Sequence, residues 1–170
     1  IRLAVTIIGI DDTDSRERGM CTTYVADTVA RRLTDRGATV ERLLLVRCNP
    51  AVVHKTRGNA ALAIHAEIAD GVAFDVAQRV IDDIAELADD RTNPGLVVAA
   101  DDPARVSDAV VSFAREAIAD HHTRENARRL LEDAGYAHRG WNNGRGLIVA
   151  LAAIGAWRAL DAWTYEHIAY

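Results

Sequence analysis

Lysine is almost absent from this chain of 170 residues: of twenty basic residues nineteen are arginine and one is Lys55. A background that uses arginine wherever a generic cation serves makes the lone lysine, in the stretch NPAVVHKTRGN, stand out. Cysteine is scarce as well. Cys21 and Cys48 are the only two, and they form neither a CxxC pair nor a four-ligand zinc site; each reads as a small buried residue. Excess positive charge is missing too. A formal net charge of -5 argues against a protein-wide basic surface, so any nucleic-acid partner finds its main electrostatic footprint elsewhere. Long apolar runs are lacking: Leu147 to Ala156 is far too short to span a bilayer, and no membrane is expected as a partner. The start IRLAVTIIGIDD meets acid after a few apolar residues, which fits a first strand and not a signal peptide, and a cytoplasmic protein is the default expectation. No GxxxxGK[ST] loop, internal repeat or low-complexity linker is present.

What remains is an ordinary globular composition, 49% hydrophobic and 26% charged, enough for one compact body. Leu3 to Ile10 reads as a buried strand. Gly19 to Arg36 reads as a helix with Tyr24, Val25, Thr28, Val29 and Leu33 on its apolar face and Gly37 as its stop. Strands follow at Thr39 to Val46 and Ala60 to Ile68, the latter alternating through Leu62, Ile64, Ala66 and Ile68. A second helix spans Val72 to Ala88 with Val76, Val80, Ile84 and Leu87 inward. After the turn TNPG, Leu96 to Ala100 is a fourth strand. The order is β-α-β-β-α-β, an α+β fold of ferredoxin-like type: an antiparallel sheet with helices on one face. Residues 1–102 are expected to form this part. Residues 103–170 are a more helical extension of the same body: a helix from Pro103 to Ala119 capped by Asp101 and Asp102, another from Arg124 to Ala134, the glycine-rich turn HRGWNNGRG, a helix-like run LIVALAAIGAW, and a last strand from Trp163 to Tyr170.

Four places carry chemistry. In GIDDTDS, three carboxylates within four residues, Asp11, Asp12 and Asp14, repel one another unless a cation sits among them. Magnesium, which takes hard oxygen ligands together with substrate phosphates, suits such a cluster. An EF-hand is excluded, because counting from Asp12 puts Arg16 at a ligand position and Glu17 where glycine is required. In GMCTTY, Gly19 precedes a helix start that carries Thr22 and Thr23, an anion-favouring end. In HKTRGN, Lys55 and Arg57 offer two cations from a loop where Gly58 permits close approach, beside Asn59. Gly144 and Gly146 bracket Arg145 before a helix, a weaker version of the same geometry. Each has an ordinary alternative: turn and helix caps for the first two, a solvated loop for the third, a common glycine turn for the fourth. The histidines say little. His121 and His122 are adjacent, His54 lies near the lysine loop, and His65, His138 and His167 read as packing or surface residues.

Taken together, GIDDTDS, GMCTTY, NPxxxxKTRGN, TNPG and GRGLIxALAAxG stand in the order and approximate spacing of one family, and the chain resembles the archaeal isoleucine-tRNA 2-agmatinylcytidine synthetases over nearly its whole length. The resemblance implies the kinase-like catalytic region of an ATP-dependent ligase. Such an enzyme joins agmatine to the C2 carbon of the wobble cytidine of an AUA-reading isoleucine tRNA, cleaves ATP to AMP and separate phosphates, activates the cytidine by phosphorylation, and phosphorylates its own threonine. By motif that threonine is Thr22. Asp11, Asp12 and Asp14 are then the metal and catalytic group, and Lys55 and Arg57 are catalytic and address the phosphates. Gly19, Thr22, Thr23, Gly58, Asn59, Gly144, Arg145 and Gly146 are then the nucleotide's surroundings. ATP and Mg2+ are the implied cofactors, and agmatine and the tRNA the partners. The tRNA is held through an OB-fold and a zinc ribbon, for which this chain has neither the length nor the cysteines. Cys48 replaces an expected leucine, and VVHK lacks the family's proline and aromatic residue before the lysine. Two other functions fit the same residues: a stand-alone phosphotransferase or ligase acting on a small molecule, and a non-catalytic nucleotide- or metal-binding regulator.

Overall fold

The computed structural model describes residues 4–11, 22–47, 60–84, 92–116, 124–159 and 164–168. Its centre is a six-stranded, wholly antiparallel sheet in the order β5-β4-β1-β3-β2-β6. The inner four strands are β1 (Val5–Asp11), β2 (Thr39–Arg47), β3 (Ala60–Glu67) and β4 (Gly95–Ala99), and they alternate with helices α1 (Thr22–Asp35) and α2 (Asp70–Ile84) in the expected ferredoxin-like sequence. The extension supplies α3 (Asp108–Glu116), α4 (Arg124–Ala134), β5 (Ala137–Gly140), α5 (Gly146–Gly155) and β6 (Thr164–Ile168).

The strand period of two divides β1 and β3 between two cores. Ile8, Ile10, Leu62 and Ile64 face α1 and α2, where Val25, Val29, Leu33, Val76 and Val80 meet them. Ile7, Ala61 and Ala63 face the other way, onto α3, α4 and α5. The ferredoxin-like helices thus occupy one face, as expected, and the extension covers the opposite one. A sheet covered on both faces has little use for polar alternation, which is why β1 and β4 read as nearly unbroken apolar runs. Helix α5 is buried over most of its length and lies so close to the sheet that a Cβ on Gly9 would stand 2.2 Å from the Ala150 carbonyl oxygen.

Local signals placed most boundaries. Gly37, at φ +88°, ends α1 in a double turn in which its N–H reaches Thr34 and the Ala38 N–H reaches Leu33, both at 3.0 Å. Three expectations need correction. Tyr24 is 53% exposed and does not belong to the buried stripe of α1. The single helix read from Pro103 breaks: Asp102 caps a 3-10 turn at Pro103–Arg105, Val106 returns to extended backbone at ψ 139°, and α3 begins only after Ser107. Asp101 caps nothing there; its carboxylate accepts the Tyr136 hydroxyl at 2.7 Å. His138 to Gly140, read as the opening of the glycine-rich turn, belong to strand β5, paired with β4. Ile84's side chain, Leu87, Cys21, Cys48, His54, His121 and His122 lie outside what is described.

Candidate active site

Strand register gathers the ends of four loops at one end of the sheet. Asp11 closes β1 opposite Gly95, the first residue of β4. On the other side Ile10 pairs with Leu62, and Arg47 pairs with Ala60, so the strand ends that carry the 48–59 loop stand at the same end as Asp11. Helix α1 runs from Thr22 back toward the start of β2, which puts its first turn there as well. No carboxylate stands in that turn, leaving the positive end of the helix dipole uncompensated from within.

Of the expected site residues the structure describes Asp11, Gly144, Arg145 and Gly146, together with the backbone of Thr22 and Thr23. Asp12, Asp14, Gly19, Lys55, Arg57, Gly58 and Asn59 lie outside the described residues, though both of their loops spring from the end just defined. Among the described residues no three His, Cys, Asp or Glu side chains come together as metal ligands. Asp11 is the one carboxylate of its triplet that is described.

The glycine turn is built differently from a phosphate cradle. Its N–H groups already donate within the protein: Arg145 to Asn143 Oδ1 at 2.8 Å, Gly146 to the Asn93 carbonyl at 2.9 Å and Leu147 to the Gly144 carbonyl at 3.1 Å. What the turn contributes is placement. A Cβ on Gly146 would lie 2.5 Å from Gly95 N, 2.7 Å from Asn93 O and 2.8 Å from Asp11 O, so the first residue of α5 rests directly on the end of β1. The exposed Arg145 precedes it.

The turn at 92–95, one of the five motifs behind the resemblance, is the part of this site to which the sequence reading gave no role of its own. Thr92 is fully buried and Asn93 is 3% exposed. Asn142 Nδ2 donates to the Thr92 carbonyl at 2.7 Å, Asn143 N donates to Asn93 Oδ1 at 3.2 Å, and Trp141 N donates to the Pro94 carbonyl at 2.9 Å. Two asparagines in a row opposite an Asn-Pro turn were the available signal, since buried polar groups of this kind need partners.

Comparison with known proteins decides the family. Residues 7–72 match the model of the TiaS TCKD domain. The isoleucine-tRNA 2-agmatinylcytidine synthetase TiaS of Haloquadratum walsbyi is 52% identical over 167 residues, covering 98% of this chain and 36% of that protein. The chain belongs to the TiaS family. A crystal structure of TiaS in complex with its isoleucine tRNA and ATP overlays with a TM-score of 0.78 at 39% identity, and that of TiaS with the tRNA, AMPCPP and agmatine with 0.78 at 36% identity; each alignment covers 89% of this chain and 36% of the other. The chain therefore spans about a third of the length of the TiaS proteins it matches.

Proposed function

We propose that this chain is the ATP-using catalytic part of an isoleucine-tRNA 2-agmatinylcytidine synthetase, working in the cytoplasm of an archaeon. The observation that carries the reading is the overlay on the complex of TiaS with tRNA and ATP across 89% of the chain, joined to the convergence of the loop-bearing strand ends around Asp11.

In this reading residues 1–102 and 103–170 act as one catalytic body. Asp11, Asp12 and Asp14 hold Mg2+, a choice supported by their oxygen-only donor set. When bound, the metal neutralises phosphate charge. Lys55 and Arg57 address the phosphates, with Gly19, Thr23, Gly58 and Asn59 close to the nucleotide. Gly144 and Gly146 place Arg145 at the same edge, and the contact with phosphate comes from its guanidinium, because the backbone donors of its turn are already engaged. The Thr22 hydroxyl, at the start of α1, attacks the γ-phosphorus of ATP; the bond from that phosphorus to the bridging oxygen breaks, ADP leaves, and a carboxylate of the Asp11 cluster is the base at hand for the hydroxyl proton. This is the kinase-like step. Agmatine and the tRNA complete the reaction, the tRNA held mainly by the remaining length of such a protein.

The chain is incubated with Mg2+ and ATP labelled at the γ-phosphate, and label is mapped by mass spectrometry in the parent, Thr22→Ala, Asp12→Ala and Lys55→Ala. Label on Thr22 that vanishes in all three variants is expected. ATP hydrolysis undiminished in Asp12→Ala and Lys55→Ala overturns the reading. The net charge of -5 favours a second reading, a phosphotransferase for a small molecule, which predicts ATP turnover indifferent to tRNA and agmatine. ATP binding without any AMP would instead mark a regulatory module.

A further inference from the structure

Two turns, 92–95 and 141–146, are locked together beside Asp11, and one side chain stands at the head of the lock. The Asn93 carboxamide oxygen accepts the Asn143 N–H. Asn143's own Oδ1 accepts the Arg145 N–H. The next N–H, that of Gly146, returns to the Asn93 carbonyl. Arg145 is thus bracketed by Asn93 on both sides, once through a side-chain relay and once through the backbone. The loop between follows a left-handed path, with Asn142 at φ +55° and Gly144 at +70°, and asparagine and glycine are the residue types that take it most readily. Asn93 is only 3% exposed, and a buried carboxamide is held in one orientation by the partners it requires, here the N–H of this loop.

We propose that Asn93 is a positioning residue of the nucleotide site: through Asn143 it fixes the direction in which Arg145 leaves the sheet end at Asp11, and Arg145 is the group that touches the phosphates. This rests on the reading of the chain as an ATP-using enzyme. Asn93 itself never meets the nucleotide.

The test is a double-mutant cycle on the affinity of the chain for ATP with Mg2+, measured by titration calorimetry. Arg145→Ala and Asn93→Ala should each weaken binding about tenfold, the loss expected for one charge-assisted contact, and the double variant should bind no worse than Arg145→Ala alone. Because Asn93→Ala risks the fold, the exposed link is tested too. Asn143→Ala should weaken binding comparably while melting normally, and Asn143→Ser, whose hydroxyl still reaches the backbone, should restore most of it. Losses from Asn93→Ala and Arg145→Ala that add in full overturn the proposal, as does an Asn143→Ala protein of unchanged affinity. If Lys55→Ala and Asp12→Ala weaken binding and Arg145→Ala does not, the enzyme reading stands and the proposal falls. If none of these variants changes the affinity, both fall.

Discussion

Gly95 and Gly146 face each other across a gap too narrow for one methyl group: a Cβ on Gly95 would lie 2.2 Å from Gly146 C and from Leu147 N. The contact is backbone on backbone, so no flexible side chain can yield. It joins the sheet to the start of α5 at the point where the candidate site begins.

Gly146→Ala should accordingly cost about 3 kcal/mol or abolish folding, the upper range for overpacking. Gly71, near the start of α2, has nothing within 4 Å of its would-be Cβ, and Gly71→Ala should stabilise by about 0.5 to 1 kcal/mol through helix propensity and a stiffer unfolded chain. Urea denaturation of the two variants separates the cases. A neutral Gly146→Ala would mean that α5 does not rest where the structure puts it.

His65 on β3 is fully buried, and neither ring nitrogen has a hydrogen-bond partner among the described residues. Burial, reinforced by Arg42 and opposed by Asp102, lowers its pKa from 6.5 to about 4; its other neighbour in this pocket, Trp157, meets it edge-on at 5.8 Å. The unfolded chain therefore binds a proton between pH 6.5 and 4 that the folded chain refuses, so this residue makes stability fall as pH drops through that window, by at most about 3 kcal/mol in all. His65→Phe keeps a ring against Trp157 and should flatten that part of a stability-pH curve. An unchanged slope would place the acid sensitivity elsewhere.

At the alkaline end Tyr136 acts with the opposite sign. Burial and the hydrogen bond to Asp101 raise its pKa above the ordinary 10. Above pH 10 the unfolded chain loses a proton that the folded chain keeps, and stability declines as pH rises. Tyr136→Phe should cost about 1 kcal/mol at neutral pH, the usual net worth of one hydrogen bond, and remove this alkaline component; denaturation at pH 8 and 11 measures both.

Asp82 ties α2 to the glycine turn. It accepts the Trp141 indole N–H at 2.8 Å and Arg139 Nη1 at 3.2 Å, while the Arg139 guanidinium lies 4.4 Å from the Trp141 ring centroid. Asp82→Ala strands a nearly buried indole N–H and should cost about 1 to 2 kcal/mol, with a shift in tryptophan fluorescence. Asp82→Asn keeps an acceptor and should lose about half as much.

The inner four strands and their two helices were legible because β-branched runs and 3.6-residue spacing speak of local structure. What covers the second face was not. Ala61, Ala63 and His65 look like the weaker side of β3 beside Leu62 and Ile64, yet they are equally buried; small residues there let α5 come close, and smallness carries no hydrophobic signature. β5, the sequence AHRG, is a strand only because β4 offers it a main-chain ladder. Tyr24 fell on an apolar stripe by spacing alone, and helix 103–119 ignored the extended turn at Val106. At the candidate site, Asp11 and the glycine turn could be named from the sequence as candidates. That two of the turn's N–H groups, those of Asn143 and Gly146, are spent on Asn93 depends on a tertiary contact between segments about fifty positions apart, which no local pattern records.

The flanking strands have a consequence for how the protein comes into being. β5 lies beside β4 and β6 beside β2, so both margins of the ferredoxin-like half are closed by segments that a ribosome makes much later. Until then a nascent chain carries a four-stranded sheet with two open ladders and one naked apolar face, an invitation to pair with its neighbours. The ferredoxin-like half is therefore the half most in need of shelter while it waits.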